Sequence, residues 1–175
     1  VCKVLKDLGQ DISERCGGHI HIGANYLKSK QAYANLIELW VNNEELFYIL
    51  SNKKGEMIRE DAIPYATPLS KKLKEGFKLK LFKEFESLST EEFINNIKIV
   101  QDFQMKNGGR RTGINFRNIN DYYNPSRNTI EFRTPNGTID ADIWIENITL
   151  FGGLVSLAQK ISELQELNKD KLSDE

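Results

Sequence analysis

Three short runs of this chain alternate apolar and polar residues, and the longer runs between them repeat apolar residues every three or four positions. The alternating runs are 16–23 (CGGHIHIG), 111–117 (RTGINFR) and 129–134 (TIEFRT). Side chains two apart on a strand share a face, so each run predicts a β-strand with one apolar and one polar side. The last two, joined by a polar link containing Asn124-Pro125-Ser126, are expected to pair antiparallel.

The helical spacings fall around these strands. Val4, Leu5, Leu8 and Ile12 predict a helix over residues 2–15 that delivers the chain to the first strand. Ser29 reads as the N-cap of a long helix with Tyr33, Leu36, Ile37, Trp40, Leu46, Phe47 and Leu50 on its apolar face, and Asn42-Asn43 is a candidate break. Residues 51–67, with Lys53-Lys54-Gly55 at one end and Pro64 to Pro68 at the other, predict a loop. Helical spacing resumes through Leu69, Leu73, Phe77, Leu81 and Phe85. A further helix capped by Thr90 is expected to run through Phe93, Ile94, Ile97 and Val100 to about Gln104, where Asn107-Gly108-Gly109 stops it. The last helix, from about Asp140 to Leu167, carries Ile143, Trp144, Ile148, Leu150, Phe151, Leu154, Val155 and Leu157, and residues 168–175 form a charged tail expected to fray. Trp40 and Trp144 sit on apolar faces and read as core. The expected fold class is α+β: one domain over residues 1–175, a mostly antiparallel sheet covered on one face by helices.

Composition narrows the partners. The 175 residues are 39% hydrophobic, enough to bury a core without staples. Lys plus Arg number 24 against 25 for Asp plus Glu, so no overall field steers the chain to nucleic acid or an anionic membrane, and neither is an expected partner. No apolar run approaches the ~18 residues of a membrane-spanning helix. Two cysteines, Cys2 and Cys16, suit a reduced chain and a cytoplasmic location. The chain starts at Val1 without an initiator Met, as a piece of a longer protein would. Oligomeric state is not legible.

The polar faces of the three strands carry the candidate chemistry. With Ile20/Ile22, Ile114/Phe116 and Ile130/Phe132 facing the core, the opposite side presents His19 and His21, Asn115 and Arg117, and Thr129, Glu131 and Arg133. His19 and His21 are the only histidines. Imidazole and carboxylate ligate divalent metals, and guanidinium groups grip phosphate or carboxylate in pairs of hydrogen bonds. The plain alternatives are structural histidines, a surface Glu131–Arg133 salt bridge and a solvated Arg110-Arg111 pair.

The sequence Cys16-Gly-Gly-His-Ile-His-Ile-Gly23, followed by Thr129-Ile-Glu-Phe-Arg-Thr-Pro-Asn-Gly-Thr138 and a long apolar helix, resembles the amidoligase family over residues 14–157. That family is related to glutamine synthetase and to glutamate–cysteine ligase. The resemblance implies a glutamine-synthetase-like catalytic fold whose concave sheet face holds ATP with Mg²⁺ or Mn²⁺, and an ATP-dependent carboxylate–amine ligation through an acyl phosphate. It implies that His19 and Glu131 ligate the metal, that His21 lies by the nucleotide phosphates, and that Arg133 contacts phosphate or the acyl phosphate. Asn115 then joins His21 and Arg133 in binding the nucleotide, and Arg111 and Arg117 join Arg133 as catalytic contacts. Partners would be small-molecule or peptide carboxylates and amines.

The family's pattern includes an early Glu-x-Glu strand supplying further metal carboxylates, and no such strand precedes His19 in this sequence. Weak or absent activity of the chain by itself is therefore expected. Two rivals stand beside the ligase: a non-catalytic remnant or nucleotide- and metal-binding module with the same fold, and a metal-dependent hydrolase, which would need ligands beyond His19 and His21.

Overall fold

Period-two alternation sorts the strand residues into rows, and the pairing register decides which rows meet. The computed structural model describes residues 1–10, 12, 16–52, 66–72, 82, 84–102, 111–120 and 125–173. Its sheet has three antiparallel strands: β1 (Ile20–Gly23), β2 (Ile114–Asn115) and β3 (Thr129–Phe132), with β3 in the centre. Ile20 and Ile114 both pair with Phe132, while His21 and Asn115 both pair with Glu131. One row is therefore apolar and the next is polar, on opposite faces of the sheet. A slip of one residue would exchange the faces.

The apolar face is covered by two helices, α2 (Lys30–Leu50) and the C-terminal helix, here α5 (Ala141–Ser173). Phe132 stacks on Phe151 with ring centroids 4.5 Å apart, and Trp40 stacks on Phe47 at 5.0 Å and tilts toward Phe132 at 5.6 Å. Ile114, Phe116, Ile130 and Phe132 are fully buried, as the alternation predicts. Gly113 makes this closeness possible. A Cβ there would lie 2.5 Å from the Tyr48 hydroxyl and 3.1 Å from Trp40, so only glycine lets β2 approach α2.

The helix signals hold in kind and shift in detail. Ser29 Oγ accepts from Ala32 N at 3.2 Å, the predicted cap, and α2 kinks at Asn43, whose φ is −126°. Beyond that kink Phe47 and Tyr48 turn inward and Leu46 and Leu50 are exposed, correcting the single apolar face drawn through them. The first helix, α1 (Cys2–Asp7), is shorter than the predicted 2–15, because the chain turns at Gly9 with φ +67°. It buries no residue, and Val4 and Leu8 are exposed.

Helix α3 (Leu69–Lys72) begins where the spacing predicts; Leu73, Phe77 and Leu81 lie outside the described residues, and Phe85 opens a 3-10 turn, Phe85–Ser87. Most of the 51–67 loop, and Asn107 to Arg110, also lie outside them. The next helix, α4 (Thr90–Asp102), is capped by Ser89 rather than Thr90. Ser89 Oγ accepts from Glu92 N at 3.2 Å while Glu92 Oε2 accepts from Ser89 N at 2.8 Å, a reciprocal capping box. The expected strand 111–117 is paired in the sheet only at Ile114–Asn115; Thr112 bridges instead to Thr67.

Helix α5 continues to Ser173 through the segment expected to fray. Its buried apolar residues include Phe151, Leu154 and Val155, whereas Ile148 and Leu157 are exposed and Trp144 is half-buried. Against the expectation of no membrane-length stretch, the helical span Ala141–Lys169 is long enough and holds an 18-residue window with a mean hydropathy of 1.2, of which 28% is buried. The difference arises because averaging tolerates the polar residues that interrupt any strict run. Several of those join the helix to the rest of the protein: Gln159 Oε1 accepts from Lys28 N at 2.9 Å, and the Ser162 and Ser29 hydroxyls lie 2.7 Å apart.

Candidate functional site

The polar row His21–Glu131–Asn115 crosses all three strands, and Glu131 at its centre is 5% exposed. A buried carboxylate is costly unless its oxygens are satisfied. Here Oε1 accepts from Arg133 Nη1 at 2.9 Å and lies 2.9 Å from His19 Nδ1, and Oε2 accepts from Asn115 Nδ2 at 2.8 Å. Burial alone pushes the Glu131 carboxyl up. The hydrogen bond to His19 and the Arg133 charge, with smaller help from the His19 charge and Asn115, outweigh it and hold the group below its ordinary value. The plain alternative of a solvated Glu131–Arg133 surface salt bridge does not describe this pair, whose side chains are 7% and 15% exposed.

His19 precedes β1 and is fixed by the backbone around it. Gly18 N donates to Pro135 O at 2.8 Å, Gly137 N donates to Cys16 O at 2.8 Å, and Gly17 bridges to Asn136. A Cβ on Gly18 would stand 2.8 Å from the Trp144 ring, so the glycine keeps this segment against the start of α5. His21 is oriented by Thr129, whose Oγ1 lies 3.0 Å from Nδ1 and donates to Arg127 O at 3.2 Å. A hydroxyl has one proton to give. With it directed to Arg127 O, the oxygen accepts from His21 Nδ1–H, and Nε2 is turned toward Glu131 Oε1, 3.8 Å away.

One ligand atom from each of His19, His21 and Glu131 lies within 4.8 Å of the other two. Two half-exposed imidazoles and a carboxylate this close fit a divalent cation reached from solvent, and the nitrogen donors suit Mn²⁺ better than Mg²⁺. His21, expected beside a nucleotide, also belongs to this cluster, its Nε2 3.8 Å from Glu131 Oε1 against 2.9 Å for His19 Nδ1. Taking up a cation requires the His19–Glu131 hydrogen bond to give way, so protons compete with metal here.

Next to the cluster is a cavity of about 510 Å³, whose walls include His21, Asn115, Thr129, Glu131 and Arg133. Asn118, Ser126 and Arg127 line it as well. Arg133 is held from behind, its backbone N donating to Gly113 O at 2.8 Å. Of the predicted contacts, Arg117 does not line the cavity; its guanidinium pairs with Asp102 of α4 at 2.7 Å. Arg111, half-buried beside Thr67, does not line it either. Arg127 was legible as an upstream extension of the odd-numbered polar series Thr129, Glu131, Arg133, two residues before the strand pattern begins.

A family model described as "Putative amidoligase enzyme" matches residues 1–155. No curated protein and no solved structure matches the chain.

Proposed function

Because the chain belongs to the amidoligase family, a ligase-type family, we propose that this site serves an ATP-dependent carboxylate–amine ligation on a glutamine-synthetase-like catalytic fold. The observation that carries the proposal is the buried, ionised Glu131 shared by His19, His21 and Arg133 at the edge of an open cavity. In the reaction a substrate carboxylate oxygen attacks the γ-phosphorus of ATP and ADP leaves; an amine nitrogen then attacks the acyl carbon and phosphate leaves. A bound Mg²⁺ or Mn²⁺, held by His19, His21 and Glu131, supplies charge neutralisation on phosphate oxygens.

The chain's own residues supply position and charge. Glu131 stays ionised at neutral pH and fixes the Arg133 guanidinium, so that its remaining N–H groups are set in place before a phosphoryl or acyl-phosphate oxygen arrives. Asn115 holds the other carboxylate oxygen and keeps the Glu131 plane from rotating. Thr129 sets the His21 ring with Nε2 toward the cluster.

Three donors with an open side also make up the smallest hydrolytic metal site, which keeps the hydrolase in view. The two readings differ in nucleotide dependence. Thermal melts of the full chain with Mn²⁺, ATP, and both together test this. The ligase requires a shift with ATP plus Mn²⁺ well beyond that with Mn²⁺ alone, and the shift must vanish in His21→Ala. Equal shifts with and without ATP would refute nucleotide binding and leave the hydrolase.

A further inference from the structure

The cavity carries an arginine that no ion pair among the described residues consumes. Glu131 is the one carboxylate among its described lining residues, and Arg133 already balances it at 2.9 Å. Arg117 is paired with Asp102 outside the cavity. Arg127 is exposed, lines the cavity, and makes no ion pair among the described residues. Its described lining residues therefore carry one unbalanced positive charge, on Arg127, before any imidazole takes a proton.

The backbone around Arg127 is pinned. Asn128, the next residue, donates through Nδ2 to Asn25 Oδ1 at 2.6 Å, accepts from Ala24 N at 3.0 Å and accepts from Asn120 N at 3.3 Å. The Arg127 carbonyl accepts from Thr129 Oγ1, the same hydroxyl that orients His21. A long side chain on a fixed backbone loses less freedom when it closes on a ligand. Asn118 brings an amide to the same wall and Ser126 a hydroxyl.

We propose that Arg127, with Asn118 and Ser126 beside it, is the anion-binding end of the cavity and receives an oxyanion of the ligand whose other end is held at the His19–His21–Glu131 cluster. The proposal rests on the ligation reading and deepens it, because a ligand with charge at both ends is what such a reaction takes. Guanidinium binds phosphate and carboxylate with the same two-pronged geometry. The oxyanion is thus either a nucleotide phosphate or a second carboxylate of the substrate.

Calorimetric titration of the full chain separates these sources, using Mn²⁺ alone, tripolyphosphate with Mn²⁺, and glutarate with Mn²⁺ on wild type, Arg127→Ala and Arg127→Lys. Arg127→Ala should bind Mn²⁺ as wild type does and lose roughly tenfold or more in affinity for at least one anion, since charge-assisted hydrogen bonds are the strong ones. Arg127→Lys should recover part of that loss, keeping the charge without the fork. Loss for tripolyphosphate assigns the end to the nucleotide, loss for glutarate to the substrate, and loss for both to a subsite that accepts either.

The proposal fails if Arg127→Ala binds both anions as tightly as wild type, if wild type binds neither, or if the variant loses Mn²⁺ affinity along with the anions. These results are separate from failure of the ligation reading. Wild type that binds an anion through Arg127 yet shows no ATP-dependent melt shift overturns ligation and keeps Arg127, and the reverse pattern does the opposite.

Discussion

His19 Nδ1 lies 2.9 Å from Glu131 Oε1, joining a residue ahead of the first strand to the middle of the central one, 112 positions later. His19 is half-exposed and Glu131 is nearly enclosed, so the pair spans from solvent to the sheet. That places Glu131 in two roles, as a candidate ligand and as the acceptor that satisfies three neighbouring side chains.

Replacing Glu131 by Gln should therefore do two things. Mn²⁺ binding, read by titration, should fall below detection. Stability, read by denaturant unfolding, should drop by about 1–3 kcal/mol, because an amide N–H₂ must face donors that a carboxylate accepted from. A polar face open to water would have left stability untouched, and an unchanged midpoint would show that Glu131 is not enclosed as described.

The acid limb of stability follows from the same group. Its carboxyl is depressed in the folded protein, so its contribution is present above the ordinary carboxylate range, about 4.3, and is lost as pH falls through the lower folded value. Arg133→Ala removes a charge that depresses it. The acid-unfolding midpoint should then move to higher pH, and no movement would dissociate Arg133 from the Glu131 charge.

The alkaline limb involves Tyr33, which burial pushes up from 10.0 to about 12 and whose hydroxyl donates to Ala24 O at 3.1 Å. A raised value means that stability is full below pH 10 and is lost as pH rises through 12. Tyr33→Phe should flatten part of that loss in unfolding titrations between these limits. Tyr48, raised by burial and by Glu44, keeps the remainder.

At the start of α4 the cap is Ser89, so Ser89→Ala should cost about 1 kcal/mol while Thr90→Ala changes stability by about 0.5 kcal/mol or less. Paired denaturation curves of the two variants decide which residue caps the helix.

Gly113→Ala should destabilise by about 1–3 kcal/mol through overpacking against Tyr48 and Trp40. Tyr48→Phe in the same chain removes the atom met first and should return part of the loss. Simple additivity of the two would mean that the contact is absent.

Much of this protein is determined by the sequence alone, because period-two alternation and the 3.6-residue repeat are local consequences of backbone geometry. They mark all three strands, both faces of the sheet, the Ser29 cap, the Asn43 break and the two covering helices. They also place His19, His21, Asn115, Glu131 and Arg133 on one side. Tertiary structure decided what pairing and burial decide. The register aligned His21, Glu131 and Asn115 in one row, and enclosure turned a surface salt bridge into a buried one. Asp102, on α4, drew Arg117 away from the cavity that Arg127 lines. Leu46, Leu50, Ile148 and Leu157 follow the apolar repeat yet face outward, because a helix repeat marks a stripe without saying how wide a neighbour covers it. Those outcomes depend on contacts between residues far apart in the chain, and no local pattern carries them.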